Sequence, residues 1–77
     1  MMERRSYAIE QRLRFIDFLV HQYGHVNRSA IMGYYGVSMP QASKDIKDYI
    51  ALAPTNLVYD GSSKTYRRDP SFVRFFP

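Results

Sequence analysis

The sequence has no cysteine. Disulfide staples and thiolate metal sites are therefore excluded, and the composition fits a reducing compartment. Long hydrophobic runs are also missing. The densest apolar cluster, "LRFIDFLVHQY", is broken by charge and does not read as a membrane span. The start, "MMERRSYAIEQR", is charged and lacks the apolar centre of a secretory signal. A cytoplasmic location, away from the membrane, is the expectation. There are no internal repeats, low-complexity tracts or long linkers. Nor is there a G-x-S-x-G, a phosphate-binding glycine loop or a carboxylate pair suited to acid–base work, so the residues do not describe an enzyme.

Acids are fewer than bases. Seven Asp and Glu against eleven Lys and Arg leave a net charge of +4 and a pI near 9.6. Such a surface favours polyanions such as nucleic acid, but also anionic membranes or acidic proteins. What is present is material for one small core: 77 residues, 45% hydrophobic and 16% aromatic. That favours a folded domain over disorder. His21 and His25 stand at the spacing of a two-histidine metal site on a helix, but Gly24 lies between them and no third ligand is at hand. No metal or cofactor is expected.

From about Tyr7 to Tyr23, apolar residues recur at Ile9, Leu13, Ile16 and Val20, the step of a helix face. Phe15, Phe18 and Leu19 widen the stripe, predicting burial on more than one side. Gly24 is a natural stop. "HV" leaves room for a very short strand. Asn27 can then cap a second helix, "RSAIMGYY", with Ile31, Tyr34 and Tyr35 inward and Gly36 ending it.

The third helix carries the strongest local signal. Ser38-Met39-Pro40-Gln41 matches the S-x-x-Q capping box, with Val37 and Ala42 placed for a hydrophobic staple. Pro40 falls in the first turn, where its missing amide costs nothing. Ala42, Ile46, Tyr49, Ile50 and Ala53 make one face, and Pro54 stops the helix. After it, "NLVYDGSSKTYRR" reads as a hairpin with a four-residue turn in which Gly61 supplies the positive φ. The tail "DPSFVRFFP" gives no clear pattern. The order α-β-α-α-β-β predicts a mainly α fold with a small β-hairpin, the winged helix-turn-helix of three helices plus wing.

Advancing about 100° per residue from Ala42, the residues pointing away from the core are Pro40, Lys44 and Ala51, flanked by Gln41, Lys47 and Asp48. In a helix-turn-helix this face enters the DNA major groove. Gln41 can pair with adenine, Lys44 can reach guanine or a phosphate, and Ser38 and Ser43 can donate to phosphate. Asp45 and Asp48 count against phosphate contact, although Asp48 can accept from a cytosine amine or pair with Lys44. Asn27, Arg28 and Ser29 begin the helix that crosses the DNA backbone in this motif. Ser62, Ser63 and Lys64 near the hairpin tip, with Arg67 and Arg68 on the return strand, suit a wing that tracks backbone or minor groove. Each residue taken singly has an ordinary alternative: capping, solubility, or protection of an edge strand.

"RLRFIDF", "GHVNRSAIMGYYGVSMPQASKDI" and "LAPTNLVYDGSSKTY" closely resemble the N-terminal winged helix-turn-helix of bacterial WYL-domain transcriptional regulators, nearest to the repressors beside phage-defence islands. The resemblance runs from about Arg12 to Pro77. It implies a homodimeric regulator on inverted-repeat double-stranded DNA, most simply a repressor. Its recognition helix would start in Ser38 to Lys47 and its wing would match Asp60 to Lys64. Members of that family continue into a ligand-sensing WYL domain and a dimerisation extension, neither of which is in this sequence. Residues 1–77 are thus either an excised DNA-binding domain or a stand-alone miniature; a single excised domain, monomeric or weakly dimeric as a fragment, is the expectation. A protein-interaction winged helix, or RNA or single-strand binding through exposed tyrosines, are the readings this one competes with.

Overall fold

The computed structural model describes residues 6–77. Helix α1 (Tyr7–Tyr23) begins where the Ser6 hydroxyl accepts the Ile9 amide at 3.2 Å, and ends where Gly24 turns left-handed at φ 83°. The Gly24 amide donates to Val20, closing the last turn. Strand β1 (His25–Val26) follows at once. Helix α2 (Arg28–Tyr35) is capped by Asn27, whose side-chain oxygen accepts the Ala30 amide at 3.0 Å. Gly36, at φ 68°, reverses the chain into helix α3 (Met39–Leu52). Strands β2 (Leu57–Asp60) and β3 (Thr65–Arg68) form the hairpin.

The sheet order is β1-β3-β2, antiparallel throughout. Val26 faces Tyr66, and Tyr66 faces Tyr59, so those side chains share one side of the sheet. His25, Arg67 and Val58 share the other. The two-residue β1 ties the hairpin to the helices, and the Arg68 amide extends the ladder to the Gly24 carbonyl at 2.8 Å.

Leu13, Ile16 and Val20 from α1, Val26, Ile31 from α2, and Ala42, Ile46 and Tyr49 from α3 make the core, all essentially without exposure. Each large member contributes about 1.5–3 kcal/mol on burial. Two aromatics depart from the expected inward face. Tyr34 is 71% and Phe18 44% exposed. In the two turns of α2 only Ile31 is buried, and Tyr34, three residues on, stands at the edge of that face. The Tyr34 ring instead stacks on Phe15 at 4.7 Å.

Two local details also differ from expectation. Gly61 does not hold the positive φ of the hairpin turn; Lys64 does, at 56°. The Asp60 carboxylate accepts both the amide and the hydroxyl of Ser62, which fixes the first half of the turn and leaves the left-handed step to its last residue. The capping box of α3 is half made. Ser38 Oγ accepts the Gln41 amide at 3.3 Å, but the Gln41 side chain goes to Asp45 instead of back to Ser38.

The tail is held by polar groups. The Asn56 side chain donates to the Val73 carbonyl and accepts its amide, imitating a strand pair. Fully buried Asp17 accepts from the Tyr49 hydroxyl, Arg74 Nε and the amides of Phe75 and Phe76. Phe76 closes over the core with the Arg14 guanidinium on its ring. Burial alone raises the Asp17 carboxyl, but the bonds from Arg74, Tyr49 and the two amides outweigh it and hold it below its ordinary value. Tyr49 is pushed well above its own, first by burial and then by its bond to Asp17.

Candidate nucleic-acid interface

The outward side of α3 is built by default: once Ala42, Ile46 and Tyr49 are buried, the intervening residues face away. Pro40, Lys44 and Lys47 are exposed, and with Ser43 and Asp48 they line a shallow hollow along the helix. Lys44 Nζ lies 3.0 Å from Asp48, one turn on, so this acid offsets one of the two lysines. Lys47 has no ion-pair partner among the described residues. Ser38 is exposed at the N-terminus of α3, its oxygen engaged as the cap.

Asp45, counted above among the acids of this helix, is not on that face. It is fully buried, gripped by Arg12 Nε at 2.6 Å and Nη2 at 3.3 Å. It also receives Gln41 Nε2 at 3.0 Å. Gln41 is half-buried on the flank of the outward face, its nitrogen end turned inward.

Beside α3, a notch of about 150 Å³ is lined by Arg28, Ser43, Ile46, Tyr59, Lys64 and Tyr66. Arg28 Nη1 donates to Ser43 Oγ at 3.3 Å, which joins the start of α2 to the second turn of α3. Tyr59 and Tyr66 contact each other across the hairpin at 4.9 Å. Lys64 contributes from the wing tip. Two cations and three hydroxyl-bearing side chains therefore line a concavity without a carboxylate, the chemistry of a phosphate or another small anion. Asn27 spends its oxygen on the cap of α2, and Ser29 is exposed on the first turn.

The remaining wing residues divide. Ser62 and Ser63 are exposed at the tip, where hydrogen bonds from Ser62 and Ser63 hold the Asp60 carboxyl below its ordinary value. Arg67 lies on the sheet face opposite the notch, 3.7 Å from Asp60. Arg68 is placed elsewhere: its guanidinium donates to the His21 carbonyl at 2.9 Å and reaches Val20, closing the C-terminal end of α1. The two histidines are on separate elements, His21 at the end of α1 beside Phe72 and His25 in β1. No helix of the described residues is long and apolar enough to cross a membrane.

Sequence reasoning missed Arg12, Tyr59 and Tyr66 as neighbours of this surface. A signal existed for the first, because Arg12 shares the stripe of Ile9 and Ile16 and must find a buried partner there. No local pattern marks the tyrosines, whose position depends on how the hairpin folds over α3.

Three helices, the tight Gly36 turn between the last two, and a hairpin whose tip stands beside the exposed face of α3 define a winged helix-turn-helix domain. The chain belongs to the family of the BrxR transcriptional regulator winged helix-turn-helix domain, which matches residues 8–77. It is 46% identical over 68 residues to the DNA-binding transcriptional repressor CapW of Pseudomonas aeruginosa, covering 88% of this chain and 23% of that protein. The CapW repressor of Escherichia coli strain KTE188 is 48% identical over 63 residues, 82% of this chain and 21% of the relative. That of Stenotrophomonas maltophilia is 44% identical over 62 residues, 80% and 21%. The chain thus spans between a fifth and a quarter of the length of these curated relatives.

Proposed function

We propose that this chain is the sequence-reading domain of a longer transcriptional repressor, and that it binds double-stranded DNA with α3 in the major groove. The observation that carries the reading is the pairing of two surfaces. The uncovered face of α3 stands next to a cationic notch, and Ser43 lines both. Lys44, Lys47 and Gln41 meet base edges or nearby phosphates; Arg28, Lys64 and the tyrosine hydroxyls of the notch take one backbone phosphate. Ser62 and Ser63 carry the wing tip along the strand. The names of the CapW relatives support repression as the outcome.

In the longer protein two copies would occupy an inverted repeat, one half-site each, with the centres about 34 Å or a multiple apart. The test is a competition titration. Duplexes selected from a random pool are bound by the chain against excess random DNA, at several salt concentrations. Retention of the selected duplex, with log affinity falling against log salt by about 0.9 per phosphate contact, is the expected result. Equal loss to random duplex, or affinity indifferent to salt, overturns the reading.

A further inference from the structure

We infer that the buried Arg12–Asp45 pair is a positioning device for Gln41, one that fixes which end of its amide faces the groove. This rests on the assignment of α3 to DNA made above. A glutamine amide presents an acceptor at one end and donors at the other, and can ordinarily turn over to suit its partner. Gln41 cannot. Its Nε2 lies 3.0 Å from Asp45 Oδ1, and that carboxylate, clamped by Arg12 at 2.6 Å, only accepts. Turning the amide over would set Oε1 against a carboxylate oxygen, two acceptors face to face with no proton between them.

The rest of the surroundings leave that orientation uncontested. Ser38 Oγ is occupied by the Gln41 backbone amide, and Lys44 is paired with Asp48. Oε1 receives no hydrogen bond from the described residues. It therefore lies on the flank of the outward face as an uncommitted acceptor in the first turn of α3, the part of a recognition helix that comes nearest the bases.

An acceptor fixed there selects bases that carry an amine in the major groove. Adenine offers N6–H2 and cytosine N4–H2. Guanine offers only the acceptors N7 and O6, and thymine only O4 and a methyl group. A freely turning glutamine could donate to guanine or thymine. The lock spends one of the two N–H bonds on Asp45 and holds Oε1 away from it, which tilts the choice toward bases with an amine, so Arg12 and Asp45 shape base preference without touching DNA.

The test is selection of bound duplexes from a random library, read by sequencing, for the parent and the variants Gln41→Ala and Asp45→Asn, each checked for folding by its thermal melt. The parent should prefer adenine or cytosine at one position by roughly tenfold. Gln41→Ala should lose that preference at that position alone. The selected duplex remade without the amine of the preferred base, purine for adenine or 2-pyrimidinone for cytosine, should bind the parent more weakly and Gln41→Ala no differently. Asp45→Asn offers a donor as well as an acceptor, lets the amide turn over, and should admit guanine or thymine there while other positions stay unchanged.

A folded Asp45→Asn variant with the parent's preference overturns the inference. So does an even loss of discrimination at every position, which marks a merely structural pair. Should Asp45→Asn not fold, the amine-free duplex decides alone, because undiminished binding of it by the parent would mean that Gln41 reads that position through its N–H. A parent that enriches no sequence defeats the DNA assignment itself, an outcome distinct from all of these.

Discussion

Asp17→Asn is the most informative single change to the fold. The carboxylate is unexposed and shares four donors between two oxygens. Oδ1 takes the Tyr49 hydroxyl and the Phe75 amide; Oδ2 takes Arg74 Nε at 2.6 Å and the Phe76 amide at 3.1 Å. Asparagine keeps the shape but offers one oxygen. Whichever way it turns, its NH2 faces two donors. Two hydrogen bonds to a charged acceptor are lost, at about 1.5–3 kcal/mol each. Arg74 is partly exposed and recovers some of its share from water. A net loss of about 3–4 kcal/mol follows, a large part of the total for a domain of this size.

Urea denaturation at neutral pH, followed by circular dichroism, measures this. The pH dependence supplies a second check. The folded Asp17 carboxyl lies below its ordinary value of 3.8, so its contribution is complete above that pH and is lost as pH falls through the folded value. The gap between parent and variant should therefore narrow as pH falls below 3.8 and through the folded value. If only the tail comes loose, the slope of the main transition falls and the Phe75 and Phe76 amides exchange quickly while α1 and α3 stay protected. A loss under about 1 kcal/mol with an unchanged slope would refute the reasoning, since that is the size of an ordinary neutral hydrogen bond. So would a gap that does not narrow as pH falls below 3.8.

Two further outcomes separate fold from interface. Arg68→Ala should cost about 1 kcal/mol in a thermal melt, because it frees the last carbonyls of α1, while leaving the salt slope of DNA binding intact. Lys64→Ala should do the reverse, lowering that slope by about 0.9. Gly36→Ala meets no atom within 4 Å of the added Cβ, yet should lose about 1–2 kcal/mol, because φ at that position is 68°. Its melting temperature should drop by roughly 4–8 °C per kcal/mol.

The helices were legible because their signals are local. The Ser38 cap, the Asn27 cap and the left-handed Gly24 and Gly36 stand where the residue types demand. Even β1 was readable, as the only chain left between two helix ends. What escaped depends on partners far away in sequence. Tyr34 reads as inward on an isolated helix, but Phe15 on α1 gives it a ring to lie on at the surface. Asp45 falls on the buried stripe of Ala42 and Ile46, so its burial was implied; the identity of its partner, Arg12, was not. Arg68 reads as one of two wing arginines, and only the pairing of β1 with β3 brings it to the end of α1. The tail has no periodicity because its order comes from Asp17 and Asn56 instead of a stripe of its own.

Those distant partners have something in common that bears on how α3 works. Apolar packing of Ala42, Ile46 and Tyr49 fixes which side of the helix is buried, but it is non-directional and tolerates rotation and sliding. Directional bonds hold the helix at both ends of its buried side: Arg12 to Asp45 near the start, and Asp17 and Asn56 to the Tyr49 hydroxyl nearer the end. One residue of slippage would turn the face by about 100° and replace Lys44 with Ser43 or Asp45 at its centre. A pair such as Arg12–Asp45 is a poor source of stability, since apolar residues of similar volume often serve as well. Fixing the rotation of α3, and with it the end of Gln41 that faces outward, is a use that apolar replacements could not serve.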